Sequence, residues 1–233
     1  MPAIDFIRKP RPWSFSSLST FTTCPRRYFE EQIAKSVPKE ETEAQLAGTR
    51  AHSAFEFRLK DKTPLPADLA GHEPLMKEIE AGPGEIQTEL KYGLNRRLEP
   101  VGFYAPDVWH RGIIDVRKRR PDGSSLIVDY KTGRPKNEMR QLHLFSAYCF
   151  LDGDGVVESY YYWTKTKVKN ANGTPIKMPK QQLGPIMASL VPDLTAYVQA
   201  FRDDIWPPKR NHFCKNYCGV VGCEFHGKGM NER

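Results

Sequence analysis

Long apolar runs are missing from this 233-residue sequence. No run reaches the roughly 20 residues that a membrane-spanning helix needs, so we expect no association with a membrane. The opening residues, MPAIDFIRKPRPW, are broken by charges and prolines and do not have the pattern of a signal peptide. Cysteine is scarce, with five in the chain. We therefore expect a cytoplasmic protein whose thiols bind metal or stay free rather than form disulfides.

The remaining composition is that of a globular protein, with 39% hydrophobic and 27% charged residues. Lys and Arg number 35 and Asp and Glu 28, which gives a formal net charge of +7. This balance favours a polyanionic partner. The chain contains no internal repeat and no long linker, so we expect one domain over residues 1–233.

The hydrophobic periodicity predicts a mixed α/β domain. Helices are expected over residues 16–60, strands with a helix over 85–164, and an irregular segment over 207–226. A helix is predicted at Glu40–Lys60, followed by strands at Ile86–Leu94, Val108–Lys118 and Leu126–Lys131. Another helix is expected to be capped by Asn137 and to end at Leu151. After it come the strand VVESYYYWT, an Asn-Gly hairpin before Lys180 and a helix to Trp206.

Two acids follow apolar strand residues in GIID and LIVD. With Pro121–Gly123 as the hairpin loop, paired residues have numbers that sum to 244, which places Asp115 opposite Asp129. Opposed residues have Cβ atoms roughly 4.5–5.5 Å apart, close enough for two carboxylates to bind one cation. Lys131 shares a strand face with Asp129. The alternative is a surface ion pair between Asp129 and Lys131 at a strand end.

Three cysteines, Cys214, Cys218 and Cys223, lie in ten residues of irregular chain, which indicates a metal site. His226 would complete a local zinc site with three thiolates. Cys24, in CPRRY near the start, would instead complete a set of four cysteines. Cys149 is predicted to be a buried core thiol.

These motifs together resemble the PD-(D/E)XK nuclease superfamily, in particular its RecB-like exonuclease branch, which includes AddB-type and CRISPR-associated adaptation nucleases. The resemblance runs from Ser16 to Cys223 in the family's order. It is carried by the segments CPRRY, LAGTRAHSAFEF, TELKYGL, RGIIDVRKR, IVDYKTG and QLHLFSAY. Phe145 stands where the last of these motifs commonly has tyrosine, so the role of that hydroxyl is lost or passes to Tyr148.

The resemblance implies a restriction-endonuclease-like mixed β-sheet flanked by helices, with a metal-stapled C-terminal tail. Lys131, Asp129, Asp115 and Gln141 would be catalytic. Mg²⁺ or Mn²⁺ would be held by the side chains of Asp115 and Asp129 together with His52, the carbonyl of Tyr130 and the supporting acid Glu89. Without the family, His52 reads as a core histidine and Glu89 as a solvated acid.

The resemblance also implies that Cys24, Cys214, Cys218 and Cys223 hold a [4Fe–4S] cluster, with zinc and His226 as the alternative. The cluster would close residues 207–226 onto the N-terminal segment. The implied function is that of a metal-dependent DNA exonuclease of recombination or repair. A nuclease of this size would suit phage or plasmid recombination, and its partners would be DNA and a recombination protein. Alternatives are an endonuclease or flap nuclease, a zinc-stapled nucleic-acid-binding module without catalysis, and an enzyme acting on another phosphate ester. Basic runs, RKRR at 117–120 and TKTKVK at 164–169, are each typical of a solvated surface, but together they are candidates for binding the nucleic-acid backbone.

Overall fold

The protein is described here as a computed structural model covering residues 7–38 and 41–230. Two parts of the sequence predictions lie outside these ranges. They are residues 1–6, from the opening segment that does not have the pattern of a signal peptide, and residues 39–40 of the predicted N-terminal helices. The chain forms two compact units, one of Met1–Glu40 with Ser189–Arg233 and one of Glu41–Ala188. That the whole chain is one domain stays a prediction. Within the described ranges, no helix is both long and apolar enough to cross a membrane.

Some of the helices begin at residues that the sequence provides as caps. Ser14 and Ser17, like Thr42 and Gln45, form reciprocal capping boxes at the start of two of them. In chain order the helical segments are α1 Phe15–Thr23, α2 Pro25–Tyr28, a π-helical turn Phe29–Ala34, α3 Glu43–Lys60, a 3₁₀ segment Ala67–His72, α4 Glu73–Glu80, α5 Arg140–Leu151, a 3₁₀ segment Lys180–Gln182 and α6 Leu183–Asp203.

The start of α5 and the end of α6 differ from the sequence prediction. Asn137 does not cap α5, which begins at Arg140. The Glu138 carboxylate accepts the Arg140 amide at 2.7 Å and so occupies the first free donor of the helix. Helix α6 ends at Asp203, three residues before the predicted end.

The second unit contains a mixed β-sheet of seven strands with the order β2-β1-β3-β4-β5-β6, in which β7 also pairs with β5. Strands β4 and β5 are parallel and are joined through α5, whereas the other pairs are antiparallel. The strands are β1 Glu85–Leu94, β2 Pro100–Val101, β3 His110–Arg119, β4 Ser124–Lys131, β5 Val156–Trp163, β6 Val168–Lys169 and β7 Ile176–Pro179. The fold is the predicted α/β sheet flanked by helices.

The register predicted for the β3–β4 hairpin is confirmed. Arg119 pairs with Ser125 and Val116 with Val128, so every pair sums to 244. The ladder stops at Val116 and Val128, one step before Asp115 and Asp129.

The Asn-Gly segment is not the predicted hairpin turn. The tight turn lies at residues 164–167, and both β6 and β7 pair with β5, end to end along one edge. Asn170 explains the difference: its side chain accepts the Tyr161 amide at 2.9 Å and donates to the Thr174 carbonyl at 2.6 Å, which fixes the intervening loop. The two-residue strands β2 and β6 were not predicted, because so short a run shows no alternation.

Each unit has its own core. In the second unit, Phe55 of α3, Met76 and Ile79 of α4, and Val116 and Val128 of the sheet are completely buried together. The YYYW segment is buried, and the predicted burial of Cys149 is confirmed. In the first unit the core is aromatic, formed by Phe21, Tyr28, Tyr197, Phe201 and Trp206.

Candidate active site

Three acids stand in register across three neighbouring strands. Glu89 of β1 is opposite Asp115 of β3, because Thr88 pairs with Val116 and the ladder resumes two residues later. Asp129 of β4 lies one step beyond the last β3–β4 pair, beside Asp115. Like charges in opposed positions are destabilising, so this row calls for a cation or for protonation.

Glu89 has an unusual backbone. Its φ of 47° lies in the left-handed region, which a non-glycine residue seldom adopts within a strand. From Glu85 to Leu94, every residue of β1 except Glu89 pairs with β3. Such conformations cost about 1–3 kcal/mol and concentrate at functional sites.

The alternation of side chains in β3 reverses near this unpaired step. A Cβ on Gly112 would lie 2.8 Å from the Tyr148 ring of α5. Arg117 donates to Asp152, at the end of the same helix, over 2.6 Å. The two β3 positions are five residues apart, and an uninterrupted strand would place them on opposite faces. The distortion therefore reorients the strand where the acids lie.

His52 reaches the acids from α3. Its ligand atom and those of Glu89 and Asp115 all lie within 4.8 Å of one another. The His52 Nδ1 lies 3.4 Å from the Asp115 Oδ1. The ring of Tyr130 contacts the imidazole edge-on, with 5.4 Å between centroids, and packs against Phe55 on its other side. The imidazole is thus positioned by the core beneath it.

Asp115 is held from β4 as well. Its Oδ2 accepts the backbone amide of Tyr130 at 2.6 Å. This bond replaces the strand pairing that is missing at this step and fixes the carboxylate, whose side chain is 11% exposed.

Lys131, Asp129 and Gln141 form a connected group beside the His52 site. Lys131 Nζ lies 2.5 Å from Asp129 Oδ2 and donates to Gln141 Oε1 at 2.9 Å. The Gln141 amide closes the triangle at 3.3 Å from Asp129 Oδ1. The ammonium also lies 5.1 Å from the centre of the Tyr161 ring. Tyr161 was not identified from the sequence. It lies here because β4 and β5 are parallel and Asp129 pairs with Tyr161.

The acids repel one another in a desolvated site. Burial, together with the charge of Asp115, raises the pKa of Asp129 to about 7. The same two causes raise the pKa of Glu89. Burial lowers the pKa of His52, but the hydrogen bond to Asp115 and the nearby acidic charges outweigh it, so its pKa is raised. Each raised pKa favours the protonated group, whereas a metal binds the deprotonated one. This is the shift expected where metal ligands lie close together without a cation between them.

Gly48 permits α3 to approach the end of β4. A Cβ at this position would lie 3.2 Å from Thr132 Cγ2 and 3.4 Å from its Oγ1. The glycine stands one helical turn before His52, so this close approach sets the depth at which the imidazole enters the site. Thr132 was not identified from the sequence, although it follows the strand motif directly.

The structure bears on two predictions about neighbouring residues. Tyr148 is buried, with its ring stacked between those of Tyr92 and His110, at 5.0 and 5.2 Å, rather than in the Lys131 group. The phenol fills the space that Gly112 leaves.

The run RKRR is also not a free basic patch. Arg117 is 2% exposed and donates to Ser125, Tyr92, Asp152 and Asp154. Lys118 is 3% exposed and donates to the carbonyls of Ile79, Ala81 and Gly82. Half of the run therefore stabilises the sheet and the end of α4.

The four proposed cluster cysteines all belong to the first unit. Cys24 and Cys214 are buried, and Cys218 and Cys223 are half-buried. The amides of Arg27 and Lys209 donate to Cys24 Sγ at 3.5 and 3.3 Å, and that of Asn211 donates to Cys214 Sγ at 3.4 Å.

The C-terminal tail meets the N-terminal helices at this point. The side-chain Nδ2 of Asn211 donates to the Thr23 carbonyl at 3.5 Å, and Lys209 Nζ donates to the Thr22 carbonyl at 3.2 Å. Burial raises the pKa of Cys218, with Cys214 and Cys24 contributing. Backbone donors aimed at sulfur suit thiolate ligands of a metal. That these cysteines bind a metal stays a prediction, as do the identity of the metal and the alternative with His226.

Comparison with known proteins identifies a family-level match. The model of the PD-(D/E)XK nuclease superfamily matches residues 12–223. No curated protein matches at a significant level. A solved candidate exonuclease from Eubacterium rectale is 14% identical, with 88% of this chain and 86% of that one covered and a TM-score of 0.52. The solved protein SSO0001 is 18% identical, with 94% and 88% covered and a TM-score of 0.44.

Proposed function

The chain belongs to the PD-(D/E)XK nuclease superfamily, and on that premise we propose that it is a metal-dependent DNA exonuclease of the RecB-like branch. One observation carries the proposal. Ligand atoms of His52, Glu89 and Asp115 gather within 4.8 Å beside the Lys131–Asp129 pair. A metal-ligand set adjoining a lysine can activate a water molecule and stabilise the charge that develops when a phosphodiester is hydrolysed.

The donor set fits Mg²⁺ or Mn²⁺. Carboxylate oxygens suit Mg²⁺, and the imidazole of His52 shifts the preference towards Mn²⁺. Ligands would be His52, Asp115 and Asp129, with the carbonyl of Tyr130 and with Glu89 in support. A cation there would offset the repulsion that raises the pKa of Glu89 and Asp129. When bound, it would polarise the phosphoryl oxygens and make water a stronger acid.

Lys131 orients the nucleophilic water and stabilises the negative charge that develops on the phosphate. Its side chain is 30% exposed, so the ammonium can meet solvent and substrate while Asp129 and Gln141 hold it. Gln141 bonds to both partners and fixes their spacing. His52 and Asp115 support each other's orientation through their 3.4 Å contact.

The finer features of the proposal rest on the family motifs. Attack from a DNA end, action in recombination or repair, and a [4Fe–4S] cluster held by the four cysteines are properties that the RecB-like motifs favour. The exonuclease designation of the Eubacterium rectale protein agrees with the first of these. The cluster would tie the tail to the N-terminal helices.

A cleavage assay on labelled linear DNA tests the proposal. Anaerobically purified wild type and Lys131→Ala are compared in Mg²⁺, Mn²⁺ and EDTA, with Lys60→Ala, an exposed lysine of α3, as the matched control. We expect end-dependent cleavage that needs metal and falls at least about 100-fold in Lys131→Ala only. Cleavage of closed circles at the same rate would indicate an endonuclease. Equal behaviour of wild type and Lys131→Ala would contradict the assigned chemistry.

A further inference from the structure

Aromatic and cationic side chains alternate at the end of the sheet formed by β1, β2 and β3. Three cations lie over rings there: Lys91 over Phe103 at 5.9 Å, Arg96 over Trp109 at 4.1 Å, and Arg111 over Phe103 and Tyr104 at 5.6 and 5.5 Å. We call these six residues the aromatic–cation cluster.

These three cations lack the acidic partners that other basic residues of the second unit have. Arg50 pairs with Asp68, and Arg58 pairs with Glu73 and Glu80. Within the described part of the chain, Lys91, Arg96 and Arg111 form no ion pair, and the buried Nε of Arg111 has no hydrogen-bond partner. Their positive charge is therefore not paired with an acid at ion-pair distance in this part of the chain and is available to an anion.

Tyr104 presents its ring to solvent. It is 74% exposed, and the half-buried ring of Phe103 supports it edge-on at 5.0 Å. Gly93 lets the loop that carries both rings fold back onto β1, since a Cβ there would meet the Val101 carbonyl oxygen at 2.7 Å. An aromatic ring placed this way contributes little to the core and exposes a face on which a flat group can stack.

The cluster lies on the same strands as the acids. Lys91 follows Glu89 by two residues on β1, about 7 Å along the strand, and Arg111 precedes Asp115 by four residues on β3, about 13 Å. Lys91 pairs with Ile113, which is 38% exposed and lies between Arg111 and Asp115 in β3. The strands thus connect the candidate active site to the cluster through exposed positions.

We propose that the aromatic–cation cluster binds single-stranded DNA, with a base stacked on Tyr104 and backbone phosphates on Arg111, Lys91 and Arg96. This rests on the proposed nuclease function and adds the strandedness of its substrate. Unpaired bases have free faces that stack on aromatic side chains, whereas the bases of a duplex are already stacked on each other. The cluster therefore favours a single strand that leads away from the site of cleavage.

Binding is measured with EDTA present, so that no strand is cleaved and the result does not depend on catalysis. Fluorescence anisotropy compares a labelled single strand with the duplex of the same sequence. The variants are Tyr104→Leu, Tyr104→Phe and Arg111→Ala, and the matched control is Arg97→Ala, an exposed arginine that pairs with Glu99. Thermal melting confirms that each variant is folded.

We expect single-strand affinity to fall about 5- to 100-fold in Tyr104→Leu, because one stacked base is lost. Tyr104→Phe keeps the ring and retains affinity, as does Arg97→Ala. Arg111→Ala lowers the affinity and reduces the slope of log affinity against log salt by about 0.7, the value for one phosphate contact on a single strand. Duplex binding changes less in each variant.

Wild-type single-strand affinity in Tyr104→Leu and Arg111→Ala, or a wild type that binds duplex as tightly as single strand, would overturn the inference. The cleavage assay distinguishes failure of the proposed single-strand binding from failure of the proposed nuclease function. A protein that cleaves no DNA but loses single-strand binding with Tyr104→Leu supports the cluster and contradicts the exonuclease. A protein that cleaves DNA while Tyr104→Leu binds normally contradicts the cluster alone.

Discussion

Glu89 and Asp115 face each other across β1 and β3 at a step where the pairing of those strands is interrupted. Both ligand atoms lie within 4.8 Å of that of His52, and the backbone of Glu89 takes a φ of 47°. Opposed acids and a left-handed backbone each destabilise the metal-free fold. A bound cation would offset the electrostatic part of this cost, which ties the stability of the second unit to its proposed cofactor.

The first prediction concerns metal binding and pH. Burial and the charge of Asp115 raise the pKa of Asp129 to about 7, well above its unfolded value of about 3.9. The stability that this carboxyl contributes is therefore present below about pH 4 and is lost as pH rises through about 7. Metal needs the ionised carboxylate, so the increase in Tm caused by Mn²⁺ should be larger at about pH 8 than at about pH 6.

The raised pKa of His52 acts in the same direction, since a protonated imidazole cannot bind metal. Differential scanning fluorimetry with and without Mn²⁺ measures the effect. Asp129→Asn should show a smaller Mn²⁺-induced shift and lose part of its pH dependence. Equal shifts of the wild type at both pH values would rule out this coupling.

The second prediction concerns the approach of α3 to β4. Gly48→Ala should lower nuclease activity about 10- to 100-fold, because the added methyl lies 3.2 Å from Thr132 Cγ2 and displaces the helix that carries His52. Stability should change by less than about 1 kcal/mol, because the better helix propensity of alanine opposes the crowding. Thr132→Ser removes the crowded methyl group, so adding it to Gly48→Ala should restore activity. If the double variant is as inactive as Gly48→Ala, steric displacement is not the cause.

The third prediction separates structural from DNA-binding basic residues. Lys118→Met leaves three carbonyl groups at the end of α4 without their donor and should lower the free energy of unfolding by about 1–3 kcal/mol. Lys177→Met, at an exposed position of β7, should have almost no effect. Urea denaturation gives the free energies. Unchanged stability of Lys118→Met together with weaker DNA binding would restore the basic run as a DNA contact.

The fourth prediction concerns the cysteines of the first unit. Protein purified without oxygen should contain iron and acid-labile sulfide, and Cys24→Ser should lose both, because it removes one of four ligands. Cys149→Ala is the matched control, since this buried thiol belongs to the other unit and should leave the metal content unchanged. Zinc without sulfide would assign the alternative site, and a full iron content in Cys24→Ser would exclude Cys24 as a ligand.

The sequence alone determined the local geometry of the site. The three-residue loop Pro121–Gly123 and the apolar alternation around it specify the register of β3 and β4, because a slip of one residue would turn every core side chain outward. The same pattern placed Asp115 beside Asp129 and Lys131 on the strand end. Thr42 likewise caps α3, whereas Asn137 does not cap α5.

Only the tertiary structure decided which distant residues meet. His52 reaches Asp115 because α3 packs closely at Gly48, and Tyr161 lies by Lys131 because β4 and β5 run parallel. Arg117 and Lys118 read as surface charge in the sequence, yet the structure buries both with partners from other elements. Periodicity and turn signals act over a few residues, whereas these contacts depend on sheet order and helix packing, which no local pattern encodes.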